Sequence, residues 1–111
     1  MDKNIRDSLL LDFYGNMLTQ KQKEIMRLYN ECDSGLSEIA EELGMSRQAV
    51  YDVVKVSQSA LENFEIKLKC VEKYIENRET ILNCISELQK EKQTEKTQKI
   101  IKNLEKVLMN Q

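Results

Sequence analysis

The segment at residues 35–52 constrains this chain most, because its small and turn-forming residues have the spacing of two short helices joined at a steep angle. Ala40 would lie where the two helices cross, and its small side chain would let their backbones approach. Gly44 can adopt the left-handed conformation that ends the first helix. Ser46 can cap the second helix by accepting a backbone N–H bond. The segment therefore predicts a helix-turn-helix unit. Its predicted apolar core comprises Ile39, Leu43, Met45, Val50 and Val53.

The second helix of this unit would present a set of polar side chains outward, and such a helix can enter a DNA major groove. Arginine suits guanine and glutamine suits adenine, so Arg47 and Gln48 are candidates for base contacts. Basic residues of the preceding helix would hold phosphates. The predicted DNA-binding residues are Ser46, Arg47, Gln48, Tyr51, Asp52, Lys55, Lys21, Lys23 and Arg27. A compact helical corner would explain the core equally well, because polar outward faces are common on surface helices.

Composition favours an all-α fold and gives no sign of catalysis. The chain has 111 residues, no proline, only 3 glycines and 32% charged residues, which is typical of long helices. Histidine is absent and no Cys-x-x-Cys pair occurs, so a zinc site would have too few ligands. Neither a glycine-rich phosphate loop nor a nucleophile motif is present. We therefore expect a protein that is not an enzyme and that uses no metal, cofactor or small-molecule substrate.

The charge distribution is unusual for a DNA-binding chain. The net charge is −2, and affinity for DNA usually rests on neutralising phosphates. Residues 1–64 carry 7 basic and 11 acidic residues, which gives −4, and residues 65–111 carry 10 and 8, which gives +2. The half predicted to read DNA is thus the acidic one. No apolar run approaches the roughly 20 residues that cross a bilayer, and no signal peptide is evident, so a cytoplasmic protein is expected.

Apolar spacing along the chain predicts several helices. A first helix should cover residues 4–17, and Thr19 with Gln22 has the capping-box spacing for a second. Gly35 would cap the third helix. Beyond the recognition helix, a heptad-like seam predicts either one continuous helix or a hairpin broken near residues 77–80. A polar linker at 89–99 would precede a last amphipathic helix at 100–108. The predicted domains are 1–64, the helix-turn-helix domain, and 65–111, a helical extension that forms a homodimer.

Three stretches of the sequence resemble the YlxM-like family of small bacterial helix-turn-helix proteins. They are LLDFY at 10–14 with LT at 18–19, KQ at 21–22 with LY at 28–29, and EIAEE at 38–42 with SRQAVYD at 46–52. The last stretch also resembles, more remotely, the promoter-reading region four of bacterial sigma factors. The family pattern more often has serine at the position of Gly35, an exchange that costs only a few tenths of a kcal/mol.

The resemblance implies a sigma-like DNA-binding unit without a β-wing. It also implies a link, through gene neighbourhood, to the signal recognition particle pathway. Two functions follow as expectations: a DNA-binding regulatory protein, or an accessory protein that binds the RNA or the GTPase of the particle. The acidic first half favours the accessory role, since a basic partner would attract it. A scaffold dimer without a nucleic-acid ligand is a third interpretation.

Overall fold

Regular structure is entirely helical in residues 2–32 and 34–110, which the computed structural model describes. This confirms the predicted all-α class. A short 3-10 helix, Gly15–Met17, follows the first helix. The α-helices of the described residues are α1 Lys3–Tyr14, α2 Gln20–Asn30, α3 Leu36–Leu43, α4 Arg47–Leu68, α5 Cys70–Lys90 and α6 Glu95–Met109. Among these helices, none combines the length and apolar character needed to cross a membrane.

The chain divides into two compact units, Met1–Val71 and Glu72–Gln111. The first contains α1 to α4 and the first two residues of α5, and the second contains α6 and the rest of α5. The domain division at 64/65, with the second part as a dimerisation element, stays a prediction.

Helix α4 lies at the centre of the first unit and packs against α1, α2 and α3. Its buried stripe lies along one side of the helix, since the residues recur at intervals of three and four. The three other helices supply apolar side chains to the same core. The buried apolar residues of this unit are Leu10, Leu11, Tyr14, Ile25, Met26, Ile39, Ala40, Val50, Val54, Leu61 and Val71.

Local capping signals were predicted correctly near the amino end. Thr19 and Gln22 form the expected capping box, with bonds of 3.2 Å from the Gln22 amide to Thr19 Oγ1 and 3.0 Å from the Thr19 amide to Gln22 Oε1. The first α-helix ends earlier than predicted, at Tyr14. The chain tightens into the 3-10 helix there, because Leu18 and Thr19 must become extended before α2 can begin.

The predictions for the chain beyond α4 were partly wrong. Helix α5 runs through residues 77–80 without a break, and Thr80 donates a 3.0 Å bond to the Glu76 carbonyl within it. The break lies instead at Lys69, whose φ of 56° is left-handed. The polar stretch 89–99 is not a linker, because only residues 91–94 lie outside the helices. Thr94 and Thr97 form a capping box that starts α6 within this stretch.

A buried hydrogen-bond network holds the corner between α4 and α5. Tyr14 is 1% exposed, and its hydroxyl donates to Glu65 Oε1 at 2.6 Å and accepts from the Cys70 amide at 3.0 Å. The same carboxylate oxygen accepts from the Val71 amide at 3.0 Å, while the Glu65 carbonyl accepts from the Lys69 amide at 2.8 Å. Burial, with the hydrogen bond to Glu65, raises the pKa of Tyr14 above its usual value, which keeps the donor protonated. Tyr14 and Glu65 therefore cap the first amides of α5.

An exposed ion pair adds a second link between α1 and α4. Arg6 donates to both carboxylate oxygens of Glu62, with Nη2 at 3.0 Å from Oε2. This hydrogen bonding is the main cause that lowers the pKa of Glu62. Both side chains are more than a third exposed, so solvent screening limits the contribution of the pair to at most about 1 kcal/mol.

We expect Tyr14→Phe to lower the free energy of unfolding by about 1–3 kcal/mol, because it removes two hydrogen bonds and leaves the Cys70 amide without its partner. Tyr51→Phe is the matched control, since Tyr51 is exposed and should change stability by less than about 0.5 kcal/mol. Urea unfolding followed by circular dichroism measures both. Equal midpoints for the two variants would contradict the proposed importance of the network.

Candidate nucleic-acid interface

The turn between α3 and α4 is set by a left-handed glycine. Gly44 has φ 67° and ψ 35°, and the Met45 amide donates to the Ala40 carbonyl at 2.9 Å. A hydrogen bond that closes a six-residue turn in this way is typical of the Schellman motif at the carboxyl end of a helix. The left-handed residue of this motif is usually glycine, because other residues are strained in that conformation. A Cβ placed on Gly44 would meet no atom within 4 Å, so the requirement for glycine is conformational and not one of space. The predicted role of Gly44 is confirmed.

Helix α4 begins immediately after this turn. Ser46 is extended, and its Oγ accepts from the Ala49 amide at 3.0 Å, which confirms the predicted cap. The turn thus has the short length expected of a helix-turn-helix unit. Of the predicted core of this unit, Ile39 and Val50 are buried, and so is Ala40, which was predicted to lie where the helices cross. The rest, Leu43, Met45 and Val53, is half-buried.

The first two and a half turns of α4 present to solvent the side chains of this helix that were predicted to bind DNA. Arginine, glutamine, tyrosine, aspartate and lysine all lie within an arc of about 140° when 100° is taken for each residue. We call this set the reading face, and it consists of Arg47, Gln48, Tyr51, Asp52 and Lys55, all exposed. Val50 and Val54 lie outside this arc and are buried.

Two pairs of residues, each one helical turn apart, organise the reading face. Gln48 Nε2 donates to Asp52 Oδ1 at 2.9 Å. Lys55 Nζ lies 5.5 Å from the centroid of the Tyr51 ring, a cation–π contact. In residues 2–32 and 34–110, the guanidinium group of Arg47 makes no hydrogen bond or ion pair. Neither pair was predicted from the sequence, although the i, i+4 spacing of the residues is a signal for such contacts.

The basic residues of α2 that were predicted to hold phosphates differ from one another in exposure and hydrogen bonding. Lys21 and Arg27 are exposed, whereas Lys23 is half-buried and donates to Asn16 Oδ1 on the 3-10 helix. Lys23 and Arg27 also line a cleft of about 210 Å³ with Asp12 and Glu31 among its walls. Within the described residues, no hydrogen bond or ion pair connects these three cations to the reading face.

Helix α3 carries the opposite charge on its exposed surface. Glu38, Glu41 and Glu42 are all exposed, and the first turn contains Glu38, which suits the positive end of a helix dipole. In the described part of the chain, no group of three or more histidine, cysteine or acidic side chains could hold a metal ion. The polar chemistry around the turn thus consists of a mixed reading face on α4 and an acidic surface on α3.

Comparisons with known proteins agree with this architecture. Residues 1–108 match the model of the UPF0122 family, described as "Putative helix-turn-helix protein, YlxM / p13 like". The UPF0122 protein YlxM of Bacillus subtilis (strain 168) is 43% identical over 108 residues, covering 96% of this chain and 97% of that protein. A UPF0122 protein of Bacillus pumilus (strain SAFR-032) is 40% identical over 107 residues, with coverage of 96% and 97%. One from Clostridium kluyveri (strain NBRC 12016) is 42% identical over 103 residues, with coverage of 90% and 93%. This chain belongs to the UPF0122 family of YlxM-like helix-turn-helix proteins.

Proposed function

We propose that this protein is a DNA-binding regulator that presents the amino end of α4 to a major groove. The observation that carries the proposal is the exposure of the whole reading face directly after a tight turn and a capped helix start. A recognition helix needs this arrangement, because its first turns must reach base edges while its other side is held by the domain core.

The side chains of the reading face match specific partners on DNA. Arg47, whose guanidinium group has no partner among the described residues, would bind guanine O6 and N7. Gln48 would bind adenine, and Tyr51 with Lys55 would contact the backbone or a thymine methyl. Lys21, Lys23 and Arg27 would hold phosphates, with Lys23 exchanging its bond to Asn16 for one to DNA. A protein of this role acts in the cytoplasm, where bacterial DNA lies.

Arg47→Ala should weaken binding to a selected DNA site by about 1–3 kcal/mol without changing the fold. Arg78→Ala is the matched control, because it removes the same charge from an exposed position on α5, outside the helix-turn-helix unit. Fluorescence anisotropy with genomic fragments between 50 and 200 mM salt (about the range over which phosphate contacts are lost) measures both. The proposal fails if the unmodified protein shows no salt-sensitive binding to any genomic fragment.

The proposed regulator is a homodimer formed through the second unit. Ile85 and Ile101 are buried there, whereas Leu82, Ile100 and Val107 remain exposed by 44%, 38% and 46%. A unit of this size buries little apolar surface by itself, so a second copy would cover these side chains. A dimer would also let two reading faces engage half-sites about one DNA turn apart, near roughly 34 Å.

Sedimentation of the full chain should give twice the mass of one chain at micromolar concentration. Val107→Glu should shift the protein towards the monomer, because it places a charge in the apolar surface. Gln98→Glu, which adds the same charge at an exposed polar position of α6, should leave the dimer unchanged. A monomeric unmodified protein would overturn the proposed dimer. A dimer that binds neither DNA nor RNA would instead support the scaffold role.

The exposed acidic surface of α3 favours a second candidate function. Glu38, Glu41 and Glu42 would repel DNA phosphates but attract a basic protein surface. An accessory protein of the signal recognition particle would bind the GTPase of the particle through this surface of α3. The exposed lysines of α6 would suit the RNA of the particle, and they are Lys96, Lys99, Lys102 and Lys106.

The accessory role predicts that the tagged chain recovers the GTPase or the RNA of the particle from lysate. Replacing Glu38 and Glu41 with glutamine should then reduce recovery of the GTPase several-fold, since rim charges govern encounter. Arg47→Ala should leave recovery unchanged, which separates this role from DNA binding. Absence of both components from the recovered material would count against the accessory function.

A further inference from the structure

A hydrogen bond on the reading face links the uncharged amide of Gln48 to the acidic side chain of Asp52. Gln48 Nε2 donates to Asp52 Oδ1 at 2.9 Å, and both side chains are exposed. We propose that Asp52 is a positioning residue that restricts Gln48 to the major-groove edge of adenine and denies it guanine. This inference rests on the proposed function of DNA binding.

The chemistry of the two groups fixes which end of the glutamine amide faces Asp52. An ionised carboxylate has only acceptors, whereas the amide has one oxygen acceptor and an NH2 group with two donors. Asp52 can therefore hold Gln48 only through Nε2. One N–H is occupied by this bond, and Oε1 with the second N–H remains available to DNA.

The remaining groups of Gln48 complement adenine and not guanine. Adenine presents an N7 acceptor and an N6 donor in the major groove, which match one N–H and one carbonyl oxygen. Guanine presents two acceptors, N7 and O6, and would require both amide N–H groups. Because Asp52 occupies one of them, Gln48 could bind guanine bidentately only by giving up its bond to the carboxylate.

The hydrogen bond between Gln48 and Asp52 would contribute more free energy in the complex, where DNA excludes water from the interface. Between exposed residues one helical turn apart, such a pair contributes little in the free protein. In a drier groove, hydrogen bonds strengthen and an unpaired carboxylate becomes costly. Asp52 makes no ion pair in the part of the chain that the structure describes, and Lys55 lies over the Tyr51 ring. On the reading face, Asp52 therefore interacts with Gln48, through the hydrogen bond described above.

The negative charge of Asp52 has a separate effect that does not depend on sequence. A carboxylate between two phosphate chains weakens every DNA complex, so it lowers affinity without choosing a base. Asp52→Asn and Asp52→Ala both remove this charge, but only asparagine keeps an oxygen acceptor for Gln48. The two variants therefore separate positioning from charge.

Selection from a random duplex pool, with sequencing of the bound DNA, tests the inference on the full chain. Gln48→Ala identifies the base pair that Gln48 reads, as the position where preference disappears. The unmodified protein should prefer adenine there by about tenfold. In Asp52→Ala we expect that preference to fall below about threefold with guanine now accepted. Asp52→Asn should keep an intermediate preference, because its amide has both an acceptor and a donor and can hold Gln48 through Nε2 or through Oε1. Both Asp52 variants should bind all duplexes more tightly at low salt.

The possible outcomes distinguish failure of the Asp52 inference from failure of the proposed DNA-binding function. A selected site whose adenine preference survives in Asp52→Ala overturns the inference and leaves DNA binding intact. A Gln48 position that prefers a base other than adenine overturns it as well. Failure of the unmodified protein to select any DNA would overturn the proposed function itself. Far-ultraviolet circular dichroism of each variant, expected to match the unmodified protein, confirms that the fold is retained.

Discussion

The left-handed backbone at Gly44 is the constraint on which the helix-turn-helix geometry depends. Only a few residues separate α3 from α4, so the chain must reverse there without unwinding either helix. An L-residue at this φ costs about 1–2 kcal/mol, and glycine avoids that cost. With this turn α3 packs against α4, and Ile39, Ala40 and Val50 are all buried. Without it, α4 would lose the packing that fixes which of its sides faces solvent.

The two ends of α4 are controlled by different kinds of interaction. At its start, Ser46 satisfies an amide of its own first turn. At its end, Glu65 provides a carbonyl to Lys69 and a carboxylate to the first amides of α5, and Tyr14 holds that carboxylate from α1. A buried carboxylate with this many donors is stabilised as a charge-assisted acceptor. The first helix therefore determines where the long central helix stops, although 51 residues separate Tyr14 from Glu65.

The difference between local and long-range stabilisation explains which features could be predicted from the sequence. The capping box at Thr19, the turn at Gly44 and the cap at Ser46 depend on residues within one helical turn, and all three were predicted correctly. The break at Lys69 has no such local signal, because lysine rarely adopts a left-handed conformation and its stabilising partners come from α1 and α4. The capping box that begins α6 was missed, since its third residue is Thr97 where glutamate or glutamine is usual. The exposure of the reading face could be predicted from helical periodicity. The contacts within it, between Gln48 and Asp52 and between Lys55 and Tyr51, could be identified only from the positions of the side chains.

The acidic net charge and the composition of the reading face have a common consequence for DNA binding. Lys23 is bonded to Asn16, Lys55 lies over the Tyr51 ring, and Asp52 adds a negative charge to the reading face. To bind a phosphate, Lys23 and Lys55 must each give up a contact within the chain, which weakens those phosphate contacts and lowers affinity for every sequence alike. A regulator built in this way would bind random DNA weakly and depend on base contacts from Arg47 and Gln48 for its affinity. Under the proposed function, the acidity that weakens attraction to DNA would therefore raise the ratio of specific to non-specific binding, which is the quantity that matters among a large excess of competing sites.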